Sequence, residues 1–231
     1  KRRTFAVYSE GTLNITPKLE FTAGLRYTKD HVDFIDPFST VITDFPGQEL
    51  FDIYSDNDIK NSYDNWSGRA ILNYAWTDDI KTYISFSRGY RSATYNGFGF
   101  VTPAAVYYVV PERLDSYGFG FKTRWADNRI QLNGAFFYYD YKKQQVTEVI
   151  GGVSYLRSLD AKVKGAELEL LAKPIQALTL RGAVGYLDTE YKSGQLLSGV
   201  DVGGNRVPFA SKWTLSFGGD LTLGSVANGN I

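Results

Sequence analysis

The side chains that could do chemistry are few. His31 is the sole histidine, so a Ser-His-Asp relay or a histidine metal site would have to be built on it, with Asp30 and Asp33 beside it. Its position reads instead as an imidazole at a strand end, in solvent. Glu167 and Glu169 fall two residues apart, which sets both carboxylates on one strand face about 7 Å apart and invites comparison with the carboxylate pairs of glycosidases. No cleft-forming segment accompanies them, and carboxylates turned toward water need no catalytic explanation. Asp33, Asp36, Asp44, Glu49, Asp52, Asp56, Asp58 and Asp64 gather in one stretch, where Asp56-Asn57-Asp58 opens like a calcium loop. Lys60 and Asn61 then stand where such a loop needs Asp or Asn followed by Gly. Gly97-Phe98-Gly99 and Gly118-Phe119-Gly120 lack the third glycine and the helix of a dinucleotide site. With no cysteine in the chain, a disulfide scaffold, a thiolate metal site and a cysteine nucleophile are all excluded. The residues thus predict no catalytic set, no metal site and no cofactor, in a protein that is not an enzyme.

Charge excludes another class. Lys and Arg total 25 against 25 Asp and Glu, with a pI near 6.8, and a duplex-binding surface needs a cationic surplus to release phosphate counterions. No nucleic-acid partner is expected. Aromatics make up 16% of the 231 residues, led by 17 Tyr and 15 Phe, with 23 Gly, while mean hydropathy is -0.25. Such a chain is rich in strand formers without being greasy overall. The basic start Lys1-Arg2-Arg3 is followed by Thr4, Ser9, Glu10 and Thr12, which interrupt the apolar run a signal peptide requires; the chain reads as a piece whose targeting segment lies outside it. The uncharged run Ser92 to Pro111 is long enough for a membrane helix, but Asn96, Gly97, Gly99, Thr102 and Pro103 disqualify it.

The elements that must position these residues are strands. Apolar residues alternate with a period of two along nearly the whole chain. Trp66, Gly68, Ala70, Leu72, Tyr74 and Trp76 oppose Ser67, Arg69, Ile71, Asn73 and Ala75; Tyr117, Phe119 and Phe121 oppose Ser116, Gly118, Gly120 and Lys122. Nine strands are predicted: Thr4 to Asn14, Leu19 to Val32, Asp64 to Trp76, Ile80 to Arg91, Arg113 to Trp125, Arg129 to Val146, Ala161 to Lys173, Leu178 to Tyr191 and Val207 to Leu223. In the fourth, Ile84 and Phe86 mark one face, yet Arg88 shares it. Short turns at Ile15 to Lys18, Thr77 to Asp79, Ala126 to Asn128 and Pro174 to Ala177 alternate with long connections at Asp33 to Tyr63, Ser92 to Glu112, Thr147 to Asp160 and Lys192 to Arg206. Short turns at one end and long loops at the other are the pattern of an outer-membrane barrel, with short periplasmic and long extracellular connections. In a barrel with water inside, apolar alternates face lipid, and Arg69, Lys122, Arg124, Glu167, Glu169 and Arg181 line the interior. The competing architecture is a soluble all-β sandwich whose core is the apolar face.

Several segments, in order, resemble the barrel of TonB-dependent outer-membrane receptors: Thr22-Ala23-Gly24-Leu25-Arg26-Tyr27; Tyr83-Ile84-Ser85-Phe86-Ser87-Arg88-Gly89-Tyr90-Arg91-Ser92; Pro111-Glu112-Arg113-Leu114-Asp115-Ser116-Tyr117-Gly118-Phe119-Gly120-Phe121-Lys122; Lys164-Gly165-Ala166-Glu167-Leu168-Glu169; and Val207-Pro208-Phe209-Ala210. The resemblance covers about Phe5 to Leu223. It implies a transporter that binds a scarce, bulky solute outside and passes it inward with energy delivered by TonB through a plug domain. That family's barrel has roughly 22 strands. Residues 1–231 are therefore expected to be a partial barrel of a larger receptor, an antiparallel transmembrane β-barrel without the plug or the C-terminal strands, lying multi-pass in the bacterial outer membrane among its lipid and lipopolysaccharide. Arg88-Gly89-Tyr90-Arg91-Ser92-Ala93-Thr94-Tyr95-Asn96-Gly97 looks most like the ferric-chelate subgroup; carbohydrate, cobalamin or haem are the alternative solutes. The ligand-binding candidates are Arg88, Arg91, Tyr95, Phe98, Tyr107, Tyr108 and Arg157: aromatics suited to a siderophore-type chelate, and cations to attract an anionic one. The same aromatics also fit a loop that packs on its neighbours.

Overall fold

The structure, a computed structural model, describes residues 1–34, 59–96, 107–196 and 198–223. Nine strands form one antiparallel sheet: β1 (Arg2–Thr16), β2 (Leu19–Phe34), β3 (Ile59–Ala75), β4 (Ile80–Arg91), β7 (Glu112–Trp125), β8 (Ile130–Ile150), β9 (Val153–Ile175), β10 (Leu178–Ser193) and β11 (Trp213–Leu221). They pair in chain order as a meander, and a separate two-stranded hairpin, β5 (Thr94–Asn96) with β6 (Tyr107–Val109), interrupts the sequence between β4 and β7. The all-β antiparallel expectation holds, with three local differences. The segment Thr147 to Asp160 is not a long connection. β-Branched residues remain frequent through Val146, Thr147, Val149 and Ile150, which favours continued strand, and Gly151-Gly152, both at positive φ (58° and 83°), closes a two-residue hairpin, which is the tight-turn geometry glycine permits. The long connection Ser92 to Glu112 contains the β5–β6 hairpin. The last strand starts at Trp213 rather than Val207, because Pro208 donates no ladder hydrogen bond and Phe209 sits at a φ of 61°.

The register sorts side chains onto two faces. On one, residues that are apolar except for Thr123 run for nine positions in strand after strand: Leu19 to Tyr27, Trp66 to Tyr74, Tyr117 to Trp125, Ile130 to Tyr138, Leu178 to Tyr186, and Trp213 to Leu221. Eight intervals at ~3.4 Å span about 27 Å along a strand. The next residue on that face toward the long-loop end is charged: Lys29, Asp64, Asp115, Asp140 and Asp188 in five of these strands. The border is oblique. Followed along the paired rows from β2 to β11, it drops six residues over seven strand-to-strand steps, from the Tyr27–Trp66 row to the Tyr186–Trp213 row. With ~3.4 Å per residue and ~4.8 Å between strands, the strands incline roughly 30° from the normal to the band. That inclination makes the band about 24 Å tall, against the ~25 Å apolar height and ~35–45° tilt of outer-membrane barrels.

Nothing among the described residues covers this face. Leu25, Trp66 and Ile84 are more than half exposed, and Phe217 is 81% exposed. The buried apolar cluster, Leu159, Ala161, Tyr191 and Val202 with Tyr141, Val146, Leu196 and Val207 packed against it, lies at the long-loop end instead. An oily face of this extent is unstable against water. The opposite face is polar and carries Arg69 bound to Glu10 at 2.7 Å through two nitrogens, Lys122, Glu167, Glu169 and Arg181. Large rings on this face lie over glycines: a methyl on Gly120 would meet the Tyr83 ring at 2.4 Å, so only glycine lets the ring lie across the strand.

Candidate functional site

The long-loop end is where the sheet opens. The β3–β4 ladder stops at Gly68–Arg88, while β2–β3 continues to Phe34–Ile59 and β4–β7 to Arg91–Glu112. A polar knot occupies the divergence. Asp30, fully buried, accepts from Thr4 Oγ1 at 2.5 Å, Tyr90 Oη at 2.9 Å and Ser92 Oγ at 3.0 Å, with Arg2 at 3.3 Å; Tyr63 and Ser92 share a further hydrogen bond. Burial alone would raise the Asp30 pKa, but these donors outweigh it and hold the carboxyl below its usual range. The knot fixes Ser92 at the root of the β5–β6 hairpin.

That hairpin is tied down at both strands. Tyr95, 8% exposed, accepts at its hydroxyl from Asn61 Nδ2 at 2.7 Å and meets Tyr108 edge-on, with centroids 5.7 Å apart. Asn96, with no exposed surface, accepts from the Leu156 N–H at 3.2 Å, and the Tyr107 hydroxyl donates to the Leu156 carbonyl. These two side chains complete the backbone hydrogen bonding of Leu156 as a neighbouring strand would. At the stem, Gln145 Nε2 donates to the carbonyls of Ser92 and Val110, both at 3.0 Å, and its backbone N–H donates to Glu112 at 2.9 Å. The long β8–β9 hairpin is thus a buttress for the β5–β6 hairpin. Burial pushes the Tyr107 and Tyr108 phenols up.

The candidates from sequence separate into groups. Tyr95, Tyr107 and Tyr108 come together in the hairpin, and Arg157, next to the Leu156 anchor, donates to the Gln195 carbonyl at 2.9 Å. Arg91 is exposed at the hairpin root. Arg88 goes elsewhere: it lies on the apolar face two residues beyond Phe86, in a two-point pair with Asp115 at 2.5 and 2.9 Å. Phe98 lies outside the described residues, as do Asp36, Asp44, Glu49, Asp52, Asp56 and Asp58. Asn61, Asn96 and Gln145 were missed, although uncharged amides inside strand-forming runs are a legible sign of a buried polar tie.

The other chemical candidates are placed as well. His31 Nδ1 stands 2.5 Å from Ser62 Oγ, and Nε2 stands 2.9 Å from Asp33. The ring is reversed relative to a hydrolytic triad, where Nε2 meets the hydroxyl and Nδ1 the acid, and it is partly exposed. Glu167 and Glu169 are exposed on the polar face beside a hollow of about 470 Å³ lined also by Phe137 and Phe209. Among the described residues no three His, Asp or Glu side chains converge as metal ligands would.

The described residues assemble an apolar band that none of them covers, a polar opposite face, and a buttressed aromatic hairpin at the end with long loops. A family model described as TonB dependent receptor-like, beta-barrel, matches residues 1–230. The pesticin receptor of Yersinia enterocolitica is 26% identical over 216 residues, covering 91% of this chain and 29% of that protein. Among solved structures, the ferric yersiniabactin uptake receptor FyuA from Yersinia pestis superposes with a TM-score of 0.72 at 20% identity, over 97% of this chain and 32% of that one. The pyoverdine outer membrane receptor FpvA from Pseudomonas aeruginosa PAO1, bound to pyoverdine, superposes with a TM-score of 0.60 at 16% identity, over 94% and 28%. The chain spans about three-tenths of the length of the curated relatives it matches.

Proposed function

The chain belongs to the TonB-dependent receptor β-barrel family, and on that premise we propose that it forms part of the barrel wall of a longer outer-membrane receptor that binds a ferric chelate and passes it inward. The nine-residue apolar band, left uncovered by the described residues, is the observation that carries the membrane reading, because a ~24 Å band of outward rings and aliphatics is stable only against lipid. On this reading the polar face turns inward and the long loops face the outside. The remaining strands close the two sheet edges, and a plug domain carries the contact with TonB. The transport cycle is that of the whole receptor; this segment supplies wall and mouth.

Support for the chelate comes from two sides. The solved relatives named above are described as receptors for ferric yersiniabactin and for pyoverdine. In this chain, the hairpin offers aromatic surface held in place by buried ties, so little conformational entropy remains to be lost when a ligand settles on it. Tyr95 and Tyr107 are the anchors, Tyr108 presents its ring, and Arg91 and Arg157 supply positive charge for an anionic chelate. Arg88, spent on Asp115, stiffens the wall.

The test is growth. A strain whose gene for this receptor is deleted should fail on a chelated iron source, grow on free iron, and be restored by the intact gene. Loss of growth on a glycan or on cobalamin, with iron uptake intact, would replace the chelate with that solute. Recovery of the protein from the soluble fraction would overturn the membrane reading itself.

A further inference from the structure

We propose that Lys81 and Lys122 form an anion-binding site on the inner wall at the short-turn end, where a negatively charged ferric chelate is held on its way out of the lumen; this rests on the transport reading above. The register sets the two lysines directly opposite one another where β4 meets β7, on the polar face. Lys81 is the second residue of β4, so the pair lies near the short-turn rim of the sheet. Directly opposed residues have Cβ atoms about 5 Å apart, and like charges so placed are destabilising unless something answers them.

No acid among the described residues answers this pair. Asp79 is taken by Arg124 at 3.2 Å, and Glu20 accepts from Asn73 Nδ2 at 2.9 Å. Asp78 lines a small hollow with both lysines and pairs with neither. Glu169 follows in the same row, but Asn133 stands between it and Lys122, a separation of about 10 Å across two strand spacings. Both lysines are exposed, and neither ammonium has a hydrogen bond or ion pair among the described residues.

The pair borders a hollow of about 590 Å³ whose lining sets Lys18, Lys81 and Lys122 against the single carboxylate of Glu20. That volume is in the range of small-ligand sites, roughly 300–1,000 Å³, and the excess of cations suits an anion. Lys18 is turned to the Trp76 carbonyl at 3.4 Å, which leaves the opposed pair to meet a guest. One rung deeper, the Tyr83 ring lies over Gly120 and gives the hollow a flat apolar side. The residue type also fits an outlet. A lysine ammonium is a compact, hydrated point charge without the directional fork of the arginines at the mouth, and a site on an exit path must hold its anion weakly enough to release it.

The first test is lysine acylation of the intact receptor in detergent, read residue by residue by mass spectrometry, with citrate, a small polyanion, as the probe. At constant ionic strength, citrate should slow acylation of Lys81 and Lys122 by roughly threefold or more, as charge-assisted contacts do, while exposed Lys173 at the same end of the sheet reacts unchanged. Lys81→Gln should abolish the protection of Lys122, and Lys81→Arg should keep it. Absence of protection, equal protection of Lys173, or protection of Lys122 that survives Lys81→Gln would each overturn the site. So would two lysines already unreactive before citrate is added, since an acid from outside residues 1–231 would then be their partner. The second test is passage. In the growth assay above, the Lys81→Gln/Lys122→Gln receptor should bind the chelate at the cell surface as before but support growth on chelated iron at about half the rate or less; full-rate growth would overturn the role in transit. The two readings fail separately: growth on chelated iron that never depends on the receptor removes the chelate, whereas dependence on the receptor with no protection of the lysines removes only this site.

Discussion

Leu170 and Glu169 are neighbours in sequence whose side chains point into opposite media on the membrane reading. Leu170 is third in the outward set Ala166, Leu168, Leu170 and Ala172, opposite Leu132 and Gly182, and it therefore lies near mid-band. Glu169 is on the polar face, opposite Asn133 and Ala183. Arginine at the midplane of a barrel's lipid face costs ~2–4 kcal/mol, so Leu170→Arg should lower the folded-to-unfolded ratio by roughly 30- to 1000-fold. Glu169→Arg places the same side chain in water and should cost less than about 1 kcal/mol. Leu170→Ala removes the side chain without adding charge and should fall between them. The assay is equilibrium guanidinium unfolding of the receptor in lipid vesicles, followed by tryptophan fluorescence, with Leu170→Arg shifting the midpoint most. Equal costs for the two arginines, or a larger cost at Glu169, would refute the assignment of faces and with it the lipid-facing band.

Three further outcomes test local claims. Gly120→Ala drives a methyl to 2.4 Å from the Tyr83 ring and should destabilise by ~1–3 kcal/mol as overpacking does; in a double-mutant cycle, Tyr83→Ala should absorb most of that cost. Asp30 has a folded pKa lowered below its ordinary value, so its contribution is complete above about pH 4 and is lost as pH falls through the lowered value. Hydrogen exchange in residues 90–96 should accelerate in that acid window, and Asp30→Asn should show the faster exchange already at neutral pH with no further step. Gln145→Ala leaves the Ser92 and Val110 carbonyls without their donor, a local loss of about 1–3 kcal/mol. Exchange should rise in 92–96 and 107–110, ferric-chelate affinity should fall, and β10–β11 should be unchanged.

The strand pattern and the two faces were legible in the residue order because alternation is a local property: side chains two apart share a face whatever the strand pairs with. The short turns and three of the four long connections were legible as well, the β8–β9 connection being a two-residue hairpin instead, and Arg88 stood in phase with Ile84 and Phe86. The Gly151-Gly152 turn carried its own signal too, since β-branched residues flank it on both sides.

What the tertiary structure decided depends on register. Asp30, Tyr90 and Ser92 are up to 62 residues apart; they meet only because the β3–β4 ladder ends while its neighbours continue. The same holds for Gln145 beneath the β5–β6 hairpin and for Lys81 beside Lys122, whose opposition requires a particular pairing of β4 with β7. Hydrophobic alternation specifies which medium a residue meets. Which distant side chain it meets is set by how far each strand slides against the next, and that sum of ladder, bulge and strand tilt exists only in the folded sheet.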